Sequence, residues 1–90
     1  MFVVVCYDIP DDKRRTRTGK VLEGFGNRVQ KSVFECDLRD DHIKKLKERL
    51  QKIMRDEDSL RYYHLCAQCI PKIETVNGPP VEKTQLYFAI

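Results

Sequence analysis

The first candidate for chemistry is a carboxylate that ends an apolar run near the N-terminus. The stretch VVVCYD places Asp8 directly after Tyr7 and four residues typical of a buried strand, Val3 to Cys6. Carboxylate oxygens are ligands that Mg²⁺ prefers, and its sites usually combine one or two carboxylates with waters and substrate phosphates. Asp8 is therefore a candidate magnesium ligand. A helix-start cap or a salt bridge to nearby arginines is the alternative interpretation.

Basic residues follow Asp8 at the point where a helix is predicted to begin. The helix dipole disfavours cations at this end by ~0.3–1 kcal/mol each, and like charges one turn apart repel. Helix stability alone therefore does not explain the cluster, whereas cations beside the free N–H groups of a helix start suit phosphates. We predict contact with phosphates, with simple solvation as the alternative, for five residues: Lys13, Arg14, Arg15, Arg17 and Lys20.

Four cysteines offer a second kind of chemistry. Cys66 and Cys69 have a spacing found in zinc sites, but the sequence contains no matching second pair. His64 is a possible third ligand, although a strand would point alternate side chains to opposite faces. We expect free thiols at all four positions, including Cys6 and Cys36, because bridges are rare in cytosolic proteins. A redox pair is less favoured still, since no helix start is predicted after Cys69.

Five segments carry the patterns that must position these groups. An unbroken apolar strand is followed by a helix that Asp11 or Asp12 caps, then by a long alternating stretch that forms one bent strand or two short ones. A helix with an apolar stripe and a strand rich in aromatics complete the pattern. The segments are a strand over residues 2–8, a helix from Asp11 or Asp12 to about Phe25, an extended stretch from Asn27 to Leu38, a helix from Asp40 or Asp41 to about Arg55, and a strand over residues 60–70.

This order predicts a single α+β domain over residues 1–90. Two helices on one face of an antiparallel sheet give a ferredoxin-like sandwich. The last six residues, QLYFAI, are strongly β-prone, and we expect Gln85–Ile90 to add a strand to the sheet of its own chain or of a dimer partner. A two-fold dimer would also bring two copies of Asp8 to face each other and hold one metal ion between them.

Composition narrows the class of protein further. A chain of 90 residues buries only ~60–65% of its extended surface, so association into a homodimer is expected. A net charge of +3 permits binding to nucleic acid without requiring it. No segment approaches ~18 consecutive apolar residues, and the N-terminal run lacks the form of a signal peptide. We therefore expect a cytoplasmic protein with no membrane partner.

Three aromatic residues could instead serve as stacking platforms for bases. Phe34, Tyr62 and Tyr63 lie in predicted strands, where sheet aromatics of RNA-binding domains stack on bases. The core is the favoured interpretation for all three. His42 and His64 have no Ser or Cys partner at a recognisable spacing, so we expect structural or surface roles for them.

Two long stretches of the chain resemble a known family. VCYDIPDDKRRTRTGKVLEGFGNRVQKSVFECDL and SLRYYHLCAQC are similar to the small CRISPR-associated nuclease family, the second of the two universal adaptation proteins (the Cas-two family). The resemblance implies a ferredoxin-like homodimer that works alongside the CRISPR spacer integrase in spacer acquisition and antiviral defence. It also implies Mg²⁺-dependent hydrolysis of phosphodiester bonds in single-stranded RNA or double-stranded DNA.

The resemblance assigns roles to particular residues. Asp8 matches the proposed metal-binding acid, and Tyr7 precedes it as in the family. Four further positions are linked to activity or to nucleic-acid contact: Arg15, Arg17, Arg28 and Phe34. Charge alone, and not the resemblance, adds Arg14 and the neighbouring basic residues Lys13, Lys20 and Lys31 to the nucleic-acid surface. The alternative function is a non-catalytic dimeric scaffold that bridges integrase subunits along a DNA duplex.

Overall fold

The computed structural model describes residues 1–81. Within them, strands and helices follow the order that the sequence pattern predicts. The elements are β1 (Phe2–Asp8), α1 (Asp12–Glu23), β2 (Asn27–Gln30), β3 (Val33–Asp37), α2 (Asp40–Ile53), β4 (Ser59–Leu65) and a short 3₁₀ helix (Ile70–Lys72). The predicted C-terminal strand, Gln85–Ile90, lies outside the described residues.

The four strands form one antiparallel sheet in the order β2-β3-β1-β4. The apolar first strand therefore occupies an interior position, with Val5 opposite Phe34 on one side and Tyr62 on the other. Buried strands of this kind carry near-continuous apolar runs, which explains the valines of β1. The α+β class and the ferredoxin-like arrangement are confirmed.

The alternating stretch from Asn27 to Leu38 is a hairpin of two short strands. Lys31 and Ser32 form the turn between β2 and β3, and the register shifts between Arg28 and Gln30. Phe34, Cys36 and Leu38 alternate along the stretch and are buried, whereas Gln30 in β2 is exposed. The hairpin places Arg28 directly opposite Phe34.

The core lies between the sheet and the helices. Inward residues of β1 pack with the apolar stripe of α2. Its residues Ile43, Leu46, Leu50 and Ile53 are buried, and Met54 just after the helix is half-buried. Helix α1 buries Thr18, Gly19 and Leu22, while Val21 and the following Phe25 are half-buried. It ends at Glu23 because the Gly24 and Gly26 amides turn back onto the Val21 and Leu22 carbonyls.

Neither α-helix within residues 1–81 has the length and the apolar run that crossing a bilayer requires.

Candidate nucleic-acid interface

Asp8 is the last residue of β1, and its side chain is exposed. Its backbone is in register with Ser59 of β4, whereas pairing with β3 ends at Cys6 and Val33. No hydrogen bond or ion pair holds the Asp8 carboxylate among residues 1–81. The same residues contain no group of three or more His, Cys, Asp or Glu side chains that could hold a metal ion. One copy of the chain thus offers Asp8 as a single accessible oxygen donor.

Tyr7 has a structural position beside this carboxylate. Its side chain is buried, and its ring lies 6.3 Å from the Phe34 ring, centroid to centroid, in a stacked arrangement. The Tyr7 hydroxyl donates to the Lys31 carbonyl over 3.2 Å. Tyr7 therefore fixes the end of β1 to the β2–β3 turn, and its hydroxyl is already engaged.

Arg28 is held by the same turn. Its guanidinium Nη1 donates to the Lys31 carbonyl over 2.5 Å, and its Cζ lies 4.7 Å from the centroid of the Phe34 ring. The Glu23 carboxylate is 3.6 Å from Nη2. The Arg28 side chain nevertheless remains 41% exposed. These contacts restrict the guanidinium to one place and leave part of it open to a ligand, as a preorganised phosphate contact requires.

A glycine in helix α1 makes room for this guanidinium. A Cβ atom built on Gly19 would lie 2.6 Å from Arg28 Nη2 and 3.3 Å from the Tyr7 hydroxyl. Sequence reasoning did not assign Gly19 a role. The available signal was a lone glycine inside a helical pattern, which costs ~1 kcal/mol relative to alanine and usually has a packing reason.

An open groove of about 390 Å³ runs between α1 and the β2–β3 turn. We call it the basic groove. Four cations and one carboxylate lie along it, so its charge suits a polyanion. Its lining residues are Tyr7, Arg15, Thr16, Lys20, Glu23, Arg28, Lys31 and Ser32. A neighbouring depression of about 450 Å³ extends this surface along α1, lined by Asp12, Lys13, Thr16, Arg17 and Lys20.

The predicted basic residues of α1 divide into two groups. Lys13, Arg17 and Lys20 are exposed on the groove or its extension. Arg15 also lines the groove, although its guanidinium donates to the Ile9 carbonyl over 2.9 Å and to the Asp12 carboxylate. These residues leave cationic surface open to phosphate.

Arg14 has a different environment on the same helix. Its guanidinium donates twice to Asp58, over 2.9 and 3.1 Å, and over 2.6 Å to Glu57. These bonds lower the pKa of Asp58 and raise that of Arg14. The Asp58 carboxylate has no solvent exposure. Arg14 therefore joins α1 to the turn before β4, and we assign it a structural role and not a place in the basic groove.

The aromatic residues are only partly in the core. Phe34 is fully buried, so it supports Tyr7 and Arg28 without meeting a ligand itself. Tyr62 is half-buried, and desolvation raises its pKa to about 12. The core prediction is wrong for Tyr63, which is 47% exposed because alternation in β4 places it on the opposite face from Tyr62. Its hydroxyl accepts a bond from Arg61 over 3.2 Å.

The fold and the groove define a small ferredoxin-like domain with a cationic surface suited to a phosphodiester backbone. A family model described as CRISPR associated protein Cas2 matches residues 1–73. The chain belongs to this family, as the resemblance of the sequence implied.

Similar proteins cover most or all of the chain. A CRISPR-associated endoribonuclease Cas2 of Chloroflexus aurantiacus is 45% identical over 93 aligned positions, covering 100% of both chains. The crystal structure of Streptococcus pyogenes Cas2 at pH 6.5 superposes with a TM-score of 0.75 and 34% identity, covering 86% of this chain and 100% of that one. A chain of a partial Cas6-RT-Cas1–Cas2 complex superposes with a TM-score of 0.75 and 30% identity. The match covers 89% of this chain and 94% of that one.

Proposed function

We propose that this protein is a metal-dependent endonuclease that hydrolyses phosphodiester bonds of RNA or DNA in the cytoplasm during CRISPR spacer acquisition and antiviral defence. The observation that carries the proposal is the exposed Asp8 carboxylate at the end of β1. A relative that is similar over its whole length is named an endoribonuclease, which makes single-stranded RNA the first substrate to test and duplex DNA the second.

Magnesium is the metal that this site suits best. The Asp8 carboxylate is a hard oxygen donor, and Mg²⁺ is commonly held by one or two carboxylates together with waters and substrate phosphates. In a homodimer whose two-fold axis passes near the end of β1, Asp8 of the other copy supplies the second carboxylate. Bound Mg²⁺ would supply a nucleophilic water at neutral pH and stabilise the charge that develops at phosphorus.

The chain's own residues bind and orient the nucleic acid. Arg28 is preorganised by the Lys31 carbonyl and the Phe34 ring, so little side-chain entropy is lost when a phosphate binds it. Lys20 and Arg15 contact flanking phosphates from the opposite wall of the basic groove. Tyr7 keeps the end of β1, and with it Asp8, at a fixed position relative to the β2–β3 turn.

A second candidate function is a non-catalytic scaffold. The structural match to a chain of a Cas6-RT-Cas1–Cas2 complex favours it, because that complex contains a Cas1 component. In this function the homodimer bridges subunits of the spacer integrase while its basic surfaces follow a DNA duplex. The scaffold uses Arg15 and Arg17 and does not require Asp8.

Substitution of Asp8 by Asn separates the two functions. With Mg²⁺ and a dimer verified by sedimentation, cleavage should fall roughly a hundredfold or more, since a metal supplies several kcal/mol and ~1.4 kcal/mol is tenfold. Binding of uncleaved RNA and DNA should change little. Asp41→Asn is the matched control, because Asp41 is another exposed acid, near the start of α2.

Two results would decide against the nuclease. Undiminished cleavage by a contaminant-free D8N dimer would show that Asp8 does not hold the metal. An inactive parent that still binds duplex DNA would favour the scaffold.

A further inference from the structure

Two cysteines just after β4 have their sulfur atoms in contact. The Sγ atoms of Cys66 and Cys69 are 3.3 Å apart, and both residues are exposed. The other two cysteines differ, since Cys6 is half-buried and Cys36 is buried in the core. Neither Cys66 nor Cys69 lines the basic groove.

A tight backbone turn produces this contact. β4 ends at Leu65, so the alternation of a strand no longer applies to the pair. The amides of Cys69 and Ile70 both donate to the Cys66 carbonyl, over 2.9 and 3.3 Å, and the chain then enters the 3₁₀ helix. Ile70 is buried and anchors the far side of the turn. The cysteine side chains are thereby held together before any bond forms between them.

The two thiols are electronically unequal. The two sulfur atoms share a hydrogen bond, and this contact, together with the nearby backbone amides, lowers the pKa of Cys66. The same pairing raises the pKa of Cys69. A low-pKa exposed cysteine beside a protonated one is the arrangement of a nucleophilic and a resolving thiol. Burial instead raises the pKa of Cys36 to about 11, which makes that thiol unreactive.

The surroundings favour redox chemistry over zinc binding. Structural zinc sites use four ligands, and residues 1–81 contain no cluster of three or more candidate ligands around the pair. His64 is the nearest histidine in sequence, but its Nδ1 lies 3.0 Å from the sulfur of Met1.

We propose that Cys66 and Cys69 form a reversible dithiol–disulfide site whose oxidant is a low-molecular-weight disulfide such as oxidised glutathione. The Cys66 thiolate attacks one sulfur of that disulfide, forming a mixed disulfide and releasing one thiolate. The Cys69 sulfur then loses its proton and attacks Cys66 Sγ, forming the intrachain bond and releasing the second thiol. The protein loses two electrons, and the small disulfide is reduced to two thiols.

The site has a structural consequence for the chain. A disulfide bond is about 2.05 Å long, so the sulfurs need only a small approach from their present separation. The bond closes the turn that carries the chain from β4 into the 3₁₀ helix. Oxidation therefore adds a covalent link to a turn that backbone hydrogen bonds already hold at the end of β4.

The experiment uses the full chain with mixtures of oxidised and reduced glutathione, followed by proteolysis and mass spectrometry. The parent should lose two hydrogen atoms from the peptide containing both cysteines. Cys69→Ser should accumulate one glutathionyl group at Cys66, because the resolving thiol is missing. Cys66→Ser should slow the first step about tenfold. The control Cys6→Ser should behave as the parent.

Three results would overturn the proposal. The first is glutathionylation that persists in the parent without an intrachain bond. The second is a disulfide between chains in place of the one within the chain. The third is stoichiometric zinc binding, measured by competition with a coloured chelator and lost in both Cys66→Ser and Cys69→Ser, since it would make the pair a metal site shared by two copies.

Discussion

The two helices lie on the same face of the sheet but are held there by different forces. Helix α2 buries four aliphatic side chains at helical spacing: Ile43, Leu46, Leu50 and Ile53. Helix α1 buries one large aliphatic side chain, Leu22, together with Thr18 and Gly19. Burial of a leucine or isoleucine contributes ~1.5–3 kcal/mol, so α2 supplies most of the helical part of the core.

Polar contacts at its N-terminus hold α1 in place. Asp11 caps the helix by accepting the Arg14 amide over 2.9 Å, and the Arg15 guanidinium reaches back to the Ile9 carbonyl. The Arg14–Asp58 pair ties the same end to the turn before β4. Helix α1 therefore needs little apolar surface, and its exposed side is available for the cations of the basic groove.

We expect the greatest loss of stability from a substitution in the buried face of α2. Leu50→Ala removes a fully buried side chain, and we expect a loss of ~2–5 kcal/mol in the free energy of unfolding. Urea denaturation followed by circular dichroism measures it. Lys45→Ala on the exposed side of α2 is the control and should stay within ~0.5 kcal/mol of the parent. A loss below ~1 kcal/mol for L50A would show that α2 does not supply most of the helical part of the core.

A smaller loss of stability is expected when the ion pair between α1 and the turn before β4 is removed. Asp58→Asn should lower the thermal midpoint at neutral pH, because it removes the charge that Arg14 pairs with. The folded pKa of Asp58 lies below its unfolded value of ~3.9, so the stabilisation is complete above that pH and is lost as pH falls further. Parent and variant should therefore converge in acid. Asp56→Asn, an exposed acid in the same turn, is the control. A gap that stayed constant down to about pH 2 would refute the pairing.

A third substitution tests whether the space that Gly19 leaves in α1 is needed to position Arg28 for binding. Gly19→Ala gains ~1 kcal/mol of helix propensity, but its Cβ displaces the guanidinium end of Arg28. We expect near-parental stability and RNA affinity reduced several-fold, measured by fluorescence anisotropy. Gly24→Ala is the matched control, since its Cβ meets ordinary contacts and should leave affinity unchanged. Equal affinity for both variants would mean that the position of Arg28 does not matter for binding.

The smallest expected change distinguishes a phosphate-binding arginine of α1 from a structural one on the same helix. Arg17→Ala should leave stability within ~0.5 kcal/mol and reduce the slope of log affinity against log salt by about 0.7–0.9, one phosphate contact. Arg14→Ala should do the opposite, keeping the slope and lowering the thermal midpoint. Titrations at several salt concentrations give both slopes. If R14A flattened the slope and R17A did not, the two roles would be exchanged.

The elements of the fold could be predicted because their patterns are local. The apolar stripe of α2 and the alternation through Phe34, Cys36 and Leu38 are visible in single segments. The β2–β3 turn was ambiguous, because Lys31 and Ser32 carry no Gly, Pro or Asn signal and the alternation runs through them.

The site was less predictable because it depends on contacts between distant segments. Arg14 looked equivalent to Arg17 by charge, and its assignment as structural depends on Asp58, 44 positions away. Gly19 matters only through Arg28, and Phe34 acts from inside the core. The contact between Cys66 and Cys69 can be predicted only when the residue at which β4 ends is known, and composition does not give that residue.

The interior position of β1 in the sheet has a consequence for synthesis of the chain. β1 is made first and can pair with β3 once residue 37 has left the ribosome, but its other edge waits for β4, residues 59–65. During that interval an apolar strand with unpaired amides and carbonyls is exposed, and such edges pair with other chains. Fast translation of residues 38–65 therefore protects nascent chains from joining one another through β1.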